Sequence, residues 1–215
     1  MNEYHKIQTM FKREEKKPCR IIYGAWTTPE FEYLKDNQWE FTEKVDGTNI
    51  RVMWDGKDIR FGGKTDSAQT PCDLIARLHD IFDPKKGMFE SIFTPKEGEA
   101  MSVCLYGEGY GAGIQKGGIY RPTKSFVLFD VKIGELWLKR TDVEDIAAKM
   151  NCEVVPVVGH GTLQHAIDIV KSGFKSMWGD FIAEGIVARP VAELKDRRGK
   201  RIITKIKHID FGGIK

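Results

Sequence analysis

Cysteine is scarce in this sequence, and the few cysteines lie far apart. Cys19, Cys72, Cys104 and Cys152 form no C-x-x-C pair and no cluster with histidine at the spacing of zinc ligands. Small extracellular domains that depend on disulfides carry a denser set of cysteines. The pattern therefore argues against a disulfide-held scaffold and a zinc module, and we expect reduced thiols.

Long apolar runs are also missing. No stretch approaches the roughly 20 apolar residues of a membrane-spanning helix. The N-terminal MNEYHKIQTMFKREEKK contains no apolar signal-peptide region. The sequence has no linker rich in proline, glycine or serine and no internal repeat. We expect a soluble, cytoplasmic protein without a membrane partner, in which residues 1–215 form a single domain.

Positive charge is in small excess, since the net charge is +3, and this value by itself does not identify a nucleic-acid partner. The cations are nevertheless concentrated in the last 27 residues, which contain only three acidic residues. The basic residues of this segment are Arg189, Lys195, Arg197, Arg198, Lys200, Arg201, Lys205, Lys207 and Lys215. Such a segment forms either a solvated surface or a phosphate-binding surface, and the sequence leaves both open.

Helix signals occur at four places. Thr28-Pro29 and Thr70-Pro71 each offer an N-cap followed by a proline suited to the first helical turn. A capping box begins at Thr141, and Thr162 precedes an amphipathic segment that ends near Gly173. These signals predict helices over residues 28–37, 70–82, 141–150 and 162–173.

Strand candidates fill the intervals between these helices. They are Trp39–Lys44, Ile50–Trp54, Asp58–Phe61, Ser102–Tyr106, Ser125–Val131, Glu135–Leu138, Glu153–Val158, Gly185–Arg189 and Arg201–Ile206. The strands follow one another in hairpins, and the helices are inserted irregularly. This order favours an α+β fold of mainly antiparallel sheets flanked by helices over a regular βαβ repeat.

The segment EKVDGTN, residues 43–49, joins two predicted strands. A lysine between two acids is usually a surface ion pair, but Gly47 allows an unusual turn that gathers the polar side chains of Asp46 and Asn49. The aromatic strand before Lys44 should be buried. With an unperturbed pKa of about 10.4, roughly one lysine in a thousand is uncharged near pH 7.4. A lysine nucleophile therefore needs a desolvated or cationic environment.

Two further segments offer charged groups for the same site. Lys205 and Lys207 alternate along the last predicted strand and so project from one face. They either protect a solvated edge strand or hold a triphosphate. Glu184 is the single carboxylate in the apolar segment FIAEGIVAR, and a buried carboxylate needs a partner such as a metal or an arginine.

Two segments in the middle of the chain offer possible nucleotide contacts. Glu108 is the one acid of YGEGYGAGIQ, whose glycines predict a flexible loop. Phe129 belongs to the apolar strand SFVLFDV, where its ring serves either the core or a base-stacking surface.

Taken in order, these segments resemble the motifs of the superfamily of ATP-dependent polynucleotide ligases and mRNA-capping enzymes. EKVDGTN is similar to the nucleophile motif lysine-x-aspartate-glycine, and GEGYGAGIQ and FVLFDV are similar to the next two motifs. EGIVARP and ITKIKH are similar to the last two. The resemblance implies a nucleotidyltransferase (adenylyltransferase) domain with an ATP-grasp-like fold. The G-T-N and G-x-G-I-Q sequences are similar to the nick-sealing branch typified by the second RNA ligase of phage T4.

The resemblance implies a role for each catalytic residue. Lys44 would take AMP from ATP and form a lysyl-AMP intermediate. Glu184 would organise a catalytic Mg²⁺, with Mn²⁺ as an alternative, through water. Lys205 and Lys207 would hold the phosphates. AMP would then pass to an RNA 5′-phosphate, and an RNA 3′-hydroxyl would displace it, with a duplex nick as the expected substrate.

The resemblance also implies nucleotide contacts. Glu108 would bind the ribose, and Phe129 would stack on adenine. Around the nucleotide or in the nucleic-acid and metal-water network, the EKVDGTN segment would contribute Glu43, Asp46, Gly47 and Asn49.

Three positions or features depart from the family pattern. Where the family has a phosphate-contacting arginine, this sequence has Lys64, for which Arg60 or Arg51 is an alternative. Arg189 stands where many ligases have lysine. The chain ends about eight residues after the last motif, so we expect no C-terminal OB or helical domain and a separate substrate-binding domain or subunit as a possible partner.

The residues leave two other functions open. A DNA ligase of the same fold would use nearly the same catalytic residues. A noncatalytic nucleic-acid-binding module derived from a ligase is the second alternative, although intact Lys44, Glu184, Lys205 and Lys207 argue against it.

Overall fold

The computed structural model describes residues 3–16, 19–95, 97–98 and 101–212, so that Lys215 of the basic segment lies outside the described residues. The strands are β1 (Gln8–Thr9), β2 (Phe11–Arg13), β3 (Ile21–Trp26), β4 (Trp39–Glu43), β5 (Thr48–Trp54), β6 (Ile59–Gly62), β7 (Val103–Tyr110), β8 (Ser125–Ile133), β9 (Leu136–Trp137), β10 (Glu153–Val154), β11 (Val157–Gly161), β12 (Gly185–Pro190) and β13 (Thr204–Lys207). The helices are α1 (Pro29–Tyr33), α2 (Cys72–Phe82), α3 (Lys86–Phe93), α4 (Arg140–Lys149) and α5 (Leu163–Ser172).

The chain divides into two compact units, each built on one main β-sheet. The first unit comprises the residues up to His5 together with Asp46–Val155. The second comprises Lys6–Val45 together with the residues from Pro156 onward. That residues 1–215 form a single nucleotidyltransferase domain remains a prediction.

The sheet of the second unit has the strand order β1-β13-β12-β4-β11. Among the pairs formed by the described residues of this sheet, the pair of β1 and β13 is parallel and the others are antiparallel. Helix α5 covers the sheet, because Leu163, Ile167 and Val170 lie on one helical face and are buried with Phe41 of β4. Each such buried side chain contributes about 1.5–3 kcal/mol. The packing makes β4 a rigid support for the residue that follows it.

The ends of α5 are set by its sequence. The Thr162 hydroxyl accepts a hydrogen bond from the His165 N–H at 3.2 Å, as an N-cap does. Gly173 ends the helix at φ +76°, a backbone conformation that glycine adopts without strain. Both boundaries agree with the predicted helix.

The sheet of the first unit has the order β10-β8-β7-β5-β6, and β9 pairs with β8. Only the pair of β10 and β8 is parallel among the pairs that the described residues form in this sheet. In α2, Leu74, Leu78 and Phe82 recur every four residues and bury one helical face against the sheet. Ile50 and Val52 of β5 belong to the same core.

The predicted α+β fold of mainly antiparallel sheets is confirmed, with differences at some element boundaries. The capping box at Thr141 is wrong, because α4 begins at Arg140 after Lys139 and no side chain caps it. The guanidinium of Arg140 donates to the Val155 carbonyl oxygen at 2.5 Å and to Glu144 at 2.7 Å. These contacts anchor the first turn ahead of the predicted cap.

The glycine-rich segment around Glu108 is also different from the prediction of a flexible loop. Glu108 lies within the regular strand β7. The glycines serve close packing there, since a Cβ at Gly107 would lie 2.2 Å from the ring of Phe126. The glycines of this strand therefore allow close packing and do not indicate a flexible loop.

Candidate active site

Lys44 directly follows the last residue of β4, inside the second unit. Its backbone N–H donates to the Gly185 carbonyl oxygen at 3.0 Å, which extends the ladder between β4 and β12 by one residue. Upstream in β4, Trp39 and Phe41 have no exposed surface. The buried strand therefore fixes the backbone from which the Lys44 side chain projects.

Strand alternation places three lysines on one face of this sheet. Phe41 and Ile206 point into the core of the unit. Lys205 and Lys207 flank Ile206 and so point to the opposite face, as the sequence predicted. Lys44 lies on this face too, because it follows Glu43, whose partner Ile186 is a core residue.

The carboxylate of Glu184 links two of these lysines. Lys44 Nζ donates to one oxygen at 2.6 Å, and Lys207 Nζ lies 2.5 Å from the other. The exposed fractions of the side chains are 19% for Lys44, 13% for Glu184 and 32% for Lys207. Solvent screens charges at such partly buried positions less than at the surface. A single negative charge is thus shared by two ammonium groups.

This geometry refines the predicted cationic environment of Lys44. Lys207 is close enough to share a carboxylate with Lys44, while Lys205 lies two residues earlier on the same face, beside Val187 of β12. Arg189 is farther along β12 and forms an ion pair with Glu40 at 2.9 Å. The basic segment therefore contains both site residues and a structural ion pair.

Glu43 points to the other face of the sheet from Lys44, because neighbouring residues of a strand alternate. Its carboxylate is 1% exposed and accepts hydrogen bonds from the Ser176 hydroxyl at 2.6 Å and the Met177 N–H at 2.8 Å. Burial raises the pKa of Glu43, and the two donors partly offset this rise. Glu43 thereby fastens the segment that precedes Glu184 to the end of β4. Its role as a nucleotide contact remains a prediction.

In the first unit, the turn after Asp46 packs against β7. A Cβ at Gly47 would lie 2.3 Å from the Gly109 carbonyl oxygen and 2.8 Å from Cγ of Glu108. Only glycine allows this approach, which is why the motif needs Gly47. The Asp46 N–H donates to the Tyr120 hydroxyl at 3.2 Å and holds the start of the turn.

Asn49 and Glu108 face each other across β5 and β7. Ile50 and Val52 point into the core, so Asn49 and Glu108 lie on the opposite face of the sheet. The Oδ1 atom of Asn49 is buried and accepts no hydrogen bond from the residues that the structure describes. A buried acceptor without a donor is costly, and a ligand hydroxyl or amine would satisfy it.

Phe129 is the extra residue of a β-bulge in β8, since Tyr106 pairs with Asp130 and Gly107 pairs with Leu128. Its ring is partly buried and does not belong to the core cluster. The Tyr4 hydroxyl donates to Asp130 at 2.6 Å, and the Tyr4 ring meets Phe129 edge-on at 5.1 Å between centroids. The bulge therefore turns the Phe129 ring away from the core. Stacking of this ring on adenine remains a prediction.

Lys64 is exposed on a short loop after β6, and the buried Arg51 forms hydrogen bonds to that loop. Arg51 is 1% exposed, and it donates to the Gly63 carbonyl oxygen at 2.7 Å and to Asp66 at 2.6 Å. The hydrogen bond from Arg51 lowers the pKa of Asp66. Since the two acceptors stand on either side of Lys64, Arg51 fixes the backbone that carries it.

The two alternatives to Lys64 as the phosphate-contacting cation, Arg51 and Arg60, differ in their surroundings. The guanidinium of Arg51 is committed to the loop, and Arg60 is 70% exposed beside Asp55. Sequence reasoning missed this role of Arg51, together with those of Ser176 and Tyr4. A charged residue between the apolar Ile50 and Val52 was the available signal for Arg51. Ser176 and Tyr4 contact residues more than a hundred positions away, for which no local pattern exists.

A resident metal site is not formed by side chains of the described residues, where no three histidine, cysteine, aspartate or glutamate residues come together. Both oxygens of Glu184 are engaged by lysines.

None of the helices in the described part of the chain is both long and apolar enough to traverse a bilayer.

Comparison with known proteins gives a family match and a shared fold. The model of the RNA ligase family matches residues 37–207. No curated protein sequence matches the chain at a significant level. Among solved structures, the chain is similar to an RNA ligase of Naegleria gruberi.

The similarity to the N. gruberi enzyme extends over most of this chain. With PPi, that structure has a TM-score of 0.62 at 21% identity, and the match covers 83% of this chain and 52% of that one. An apo form of a point mutant gives 0.66 at 18%, covering 98% and 58%. Another mutant, with ATP and Mn, gives 0.64 at 16%, covering 98% and 64%.

At these identities the likeness shows the fold, and the chain spans between about half and two thirds of the length of the enzyme it matches. The family match covers all the predicted catalytic residues, from Lys44 to Lys207. The chain belongs to the RNA ligase family.

Proposed function

We propose that this protein is an ATP-dependent RNA ligase that works through a lysyl-AMP intermediate on Lys44. The observation that carries the proposal is the pair of lysines, Lys44 and Lys207, on the single carboxylate of Glu184. A nucleophilic amine and a phosphate-binding cation are thus side by side at the end of a rigid sheet. An amine beside a cation that can hold phosphate supports transfer of a nucleotide to Lys44.

The first step forms a bond between Lys44 Nζ and the α-phosphorus of ATP and breaks the bond to the pyrophosphate oxygen. Two protons leave the Lys44 ammonium as the N–P bond forms, one to the Glu184 carboxylate in contact with Nζ and one to solvent, and pyrophosphate leaves with the electron pair. Lys205 and Lys207 hold phosphate oxygens and offset the charge that grows on the leaving group. In the next step AMP passes to the 5′-phosphate of an RNA end. A 3′-hydroxyl then displaces AMP and closes the phosphodiester.

A divalent cation, Mg²⁺ or Mn²⁺, would neutralise charge on the phosphates when bound. The structure of the N. gruberi enzyme with ATP and Mn supports this assignment. The side chains of the described residues offer no three-ligand site, so the ion would be held mainly by phosphate and water. Glu184 would hold one of those waters, which requires that Lys207 move from the carboxylate to a phosphate.

The nucleoside contacts are also part of the proposal. Glu108 would bind the ribose, and Phe129 would offer its ring to adenine. The unsatisfied Oδ1 of Asn49 supports this assignment, because a ligand donor would complete its hydrogen bonding. Asp46 and Gly47 would shape the turn beside the nucleotide, and exposed Lys64 would contact a phosphate in place of the arginine of the family.

The test is incubation with labelled ATP and magnesium, followed by a denaturing gel and mass spectrometry. One added AMP is expected on the peptide that contains Lys44. Full labelling of the Lys44→Ala variant would overturn the assignment of the nucleophile. Absence of labelling from the unaltered protein, with RNA binding intact, would support a noncatalytic module instead.

A further inference from the structure

The connection between β12 and β13 ends in a tight hairpin of residues 195–200, which we call the basic hairpin. Lys195 and Arg201 pair across its base. The Asp196 N–H donates to the Lys200 carbonyl oxygen at 2.7 Å, and the Gly199 N–H donates back to the Asp196 carbonyl oxygen at 2.9 Å. Gly199 has a φ of +76°, which suits glycine. The hairpin therefore has a defined backbone.

The only acid in the basic hairpin is used internally. Asp196 Oδ1 accepts hydrogen bonds from the Arg198 N–H at 2.8 Å and the Lys200 N–H at 2.9 Å. These contacts, led by the one from Lys200, hold the pKa of Asp196 below its usual range. The carboxylate thus stabilises the turn and stays ionised at neutral pH.

The four cations of the hairpin point outward. Lys195, Arg197, Arg198 and Lys200 are exposed, and none of their side chains forms a salt bridge with a residue that the structure describes. The other arginines of the basic segment behave differently. Arg189 and Arg201 are largely buried and form ion pairs with Glu40 and Glu193.

We propose that the basic hairpin binds the phosphate backbone of the RNA substrate at a distance from the joined ends. The inference rests on the proposed function and concerns a surface outside the lysine site. The hairpin carries four cations and one carboxylate, and that carboxylate is engaged by backbone N–H groups. The four cations therefore repel one another unless an anion binds beside them. The guanidinium groups of Arg197 and Arg198 match phosphate geometry, and contacts of this kind carry no sequence preference.

The position of the hairpin defines where on the RNA it acts. Gly185 pairs with Lys207 at the end of β12 that carries the lysine site, and the hairpin extends from the opposite end, after Pro190. Five residue steps of about 3.3 Å separate these ends, or about 17 Å. If the RNA strand runs along β12, at about 3.4 Å per nucleotide of a duplex strand, the hairpin would meet phosphates about five or more nucleotides from the break.

The test compares RNA binding and lysyl-AMP formation in an Arg197→Gln/Arg198→Gln double variant. Both side chains are exposed, so the fold should be retained. The slope of log affinity against log salt should become shallower by about 1.4–1.8, because each of the two lost phosphate contacts changes it by about 0.7–0.9. Lysyl-AMP formation should be unchanged. A Lys35→Gln/Lys149→Gln variant removes the same charge from exposed positions and serves as the matched control.

Uncharged phosphates provide the second measurement. The double variant should lose affinity for a nicked duplex with 12 base pairs on each side, but it should bind as the parent does when the phosphates more than about four nucleotides from the nick are replaced by methylphosphonates. An unchanged salt slope would overturn the proposal and favour an acidic protein as the partner of the hairpin. An equal loss in the control would also overturn it, since total charge alone would then decide binding. If the parent protein itself forms no lysyl-AMP, the proposed function is refuted instead.

Discussion

Glu184 accepts a hydrogen bond from Lys44 Nζ at 2.6 Å, although the two residues are 140 positions apart in the chain. The second oxygen of the same carboxylate contacts Lys207. Replacing one partner of a partly buried ion pair leaves the other without compensation, which costs more than the pair itself contributes. The three residues should consequently act as a unit in both stability and catalysis.

The first prediction concerns the phosphate-binding lysines. Alanine at Lys205 or Lys207 should reduce the rate of lysyl-AMP formation by about a hundredfold or more, the usual effect of removing one preorganised charge from such a site. The rate is measured in a single turnover with labelled ATP. Lys12→Ala, at an exposed position of the same unit, should label as the parent does. If both lysine variants also label at the parent rate, the phosphate-binding role is wrong.

The second prediction concerns Lys64 and the loop beneath it. Lys64→Ala should slow nucleotide transfer or sealing, and Lys64→Arg should be tolerated, because either cation can contact a phosphate oxygen. Asp66→Ala removes one of the two acceptors by which Arg51 holds the loop. If Arg51 and Asp66 act through Lys64, then Asp66→Ala should add little further loss to the Lys64→Ala variant.

The controls separate positioning from general stability. The side chain of Asp66 is 80% exposed but that of Arg51 is 1% exposed, so Asp66→Ala leaves a buried guanidinium without its carboxylate partner and should lower the free energy of unfolding. Urea unfolding measures this loss, and the rates are compared under conditions in which every variant is folded. Asp58→Ala removes another exposed acid that pairs with a cation, Lys86, and should leave the rate unchanged. Fully additive losses in the double variant would show that the loop acts independently of Lys64.

Much of the fold was predictable because its signals are local. Thr162 and Gly173 mark the ends of α5, and the apolar spacing of Leu74, Leu78 and Phe82 identifies α2. The short strands β1 to β3 and helix α3 gave no clear pattern. Their stability comes from tertiary pairing, as with β1, which lies parallel to β13.

The candidate site was predictable in its residues more than in its contacts. Alternation placed Lys205 and Lys207 on one face, and the structure confirms it. The sharing of Glu184 by two lysines was not foreseen, because each contact joins distant strands. Likewise, the neighbour of the nucleophile, Glu43, faces Ser176 on the other side of the sheet, and only the strand register reveals this.

The third prediction concerns the pH dependence of stability through Glu43. Its pKa is raised above 4.5 by burial, so the folded protein holds this proton more tightly than the unfolded chain does. The contribution of Glu43 to stability is then greatest below about pH 4.5 and falls as the pH rises through the folded-state pKa. Glu43→Gln cannot ionise and should lack this fall.

Urea unfolding of the parent and of Glu43→Gln at several pH values between about 4 and 7 measures the effect. The stability of the parent relative to the variant should decrease with rising pH. Ser176→Ala, which removes a donor to the carboxylate, should make the decrease larger. Parallel stability curves for parent and Glu43→Gln would contradict the prediction.

The fourth prediction concerns the substrate. We expect joining of RNA 3′-hydroxyl ends to 5′-phosphates, with a nicked duplex preferred to free single strands. The match to the RNA ligase family supports RNA, and the resemblance of EKVDGTN and GAGIQ to nick-sealing ligases supports the nick. An enzyme of this kind must sense a 2′-hydroxyl or A-form geometry near the break.

The deciding assay uses four nicked duplexes that differ only in ribose or deoxyribose on either side of the nick, together with a single-stranded RNA. Ribose at the 3′-hydroxyl side should be sealed fastest, because that terminal nucleotide presents both the attacking hydroxyl and its neighbouring 2′-hydroxyl to the enzyme. Rates should fall steeply as salt rises, since the basic hairpin and the site lysines contact phosphates. Equal or faster sealing of all-DNA ends would reject an RNA ligase in favour of a DNA ligase. Sealing of the unpaired strand alone would reject the nick preference, and labelling of Lys44 without joining would show that substrate binding requires a separate domain or subunit.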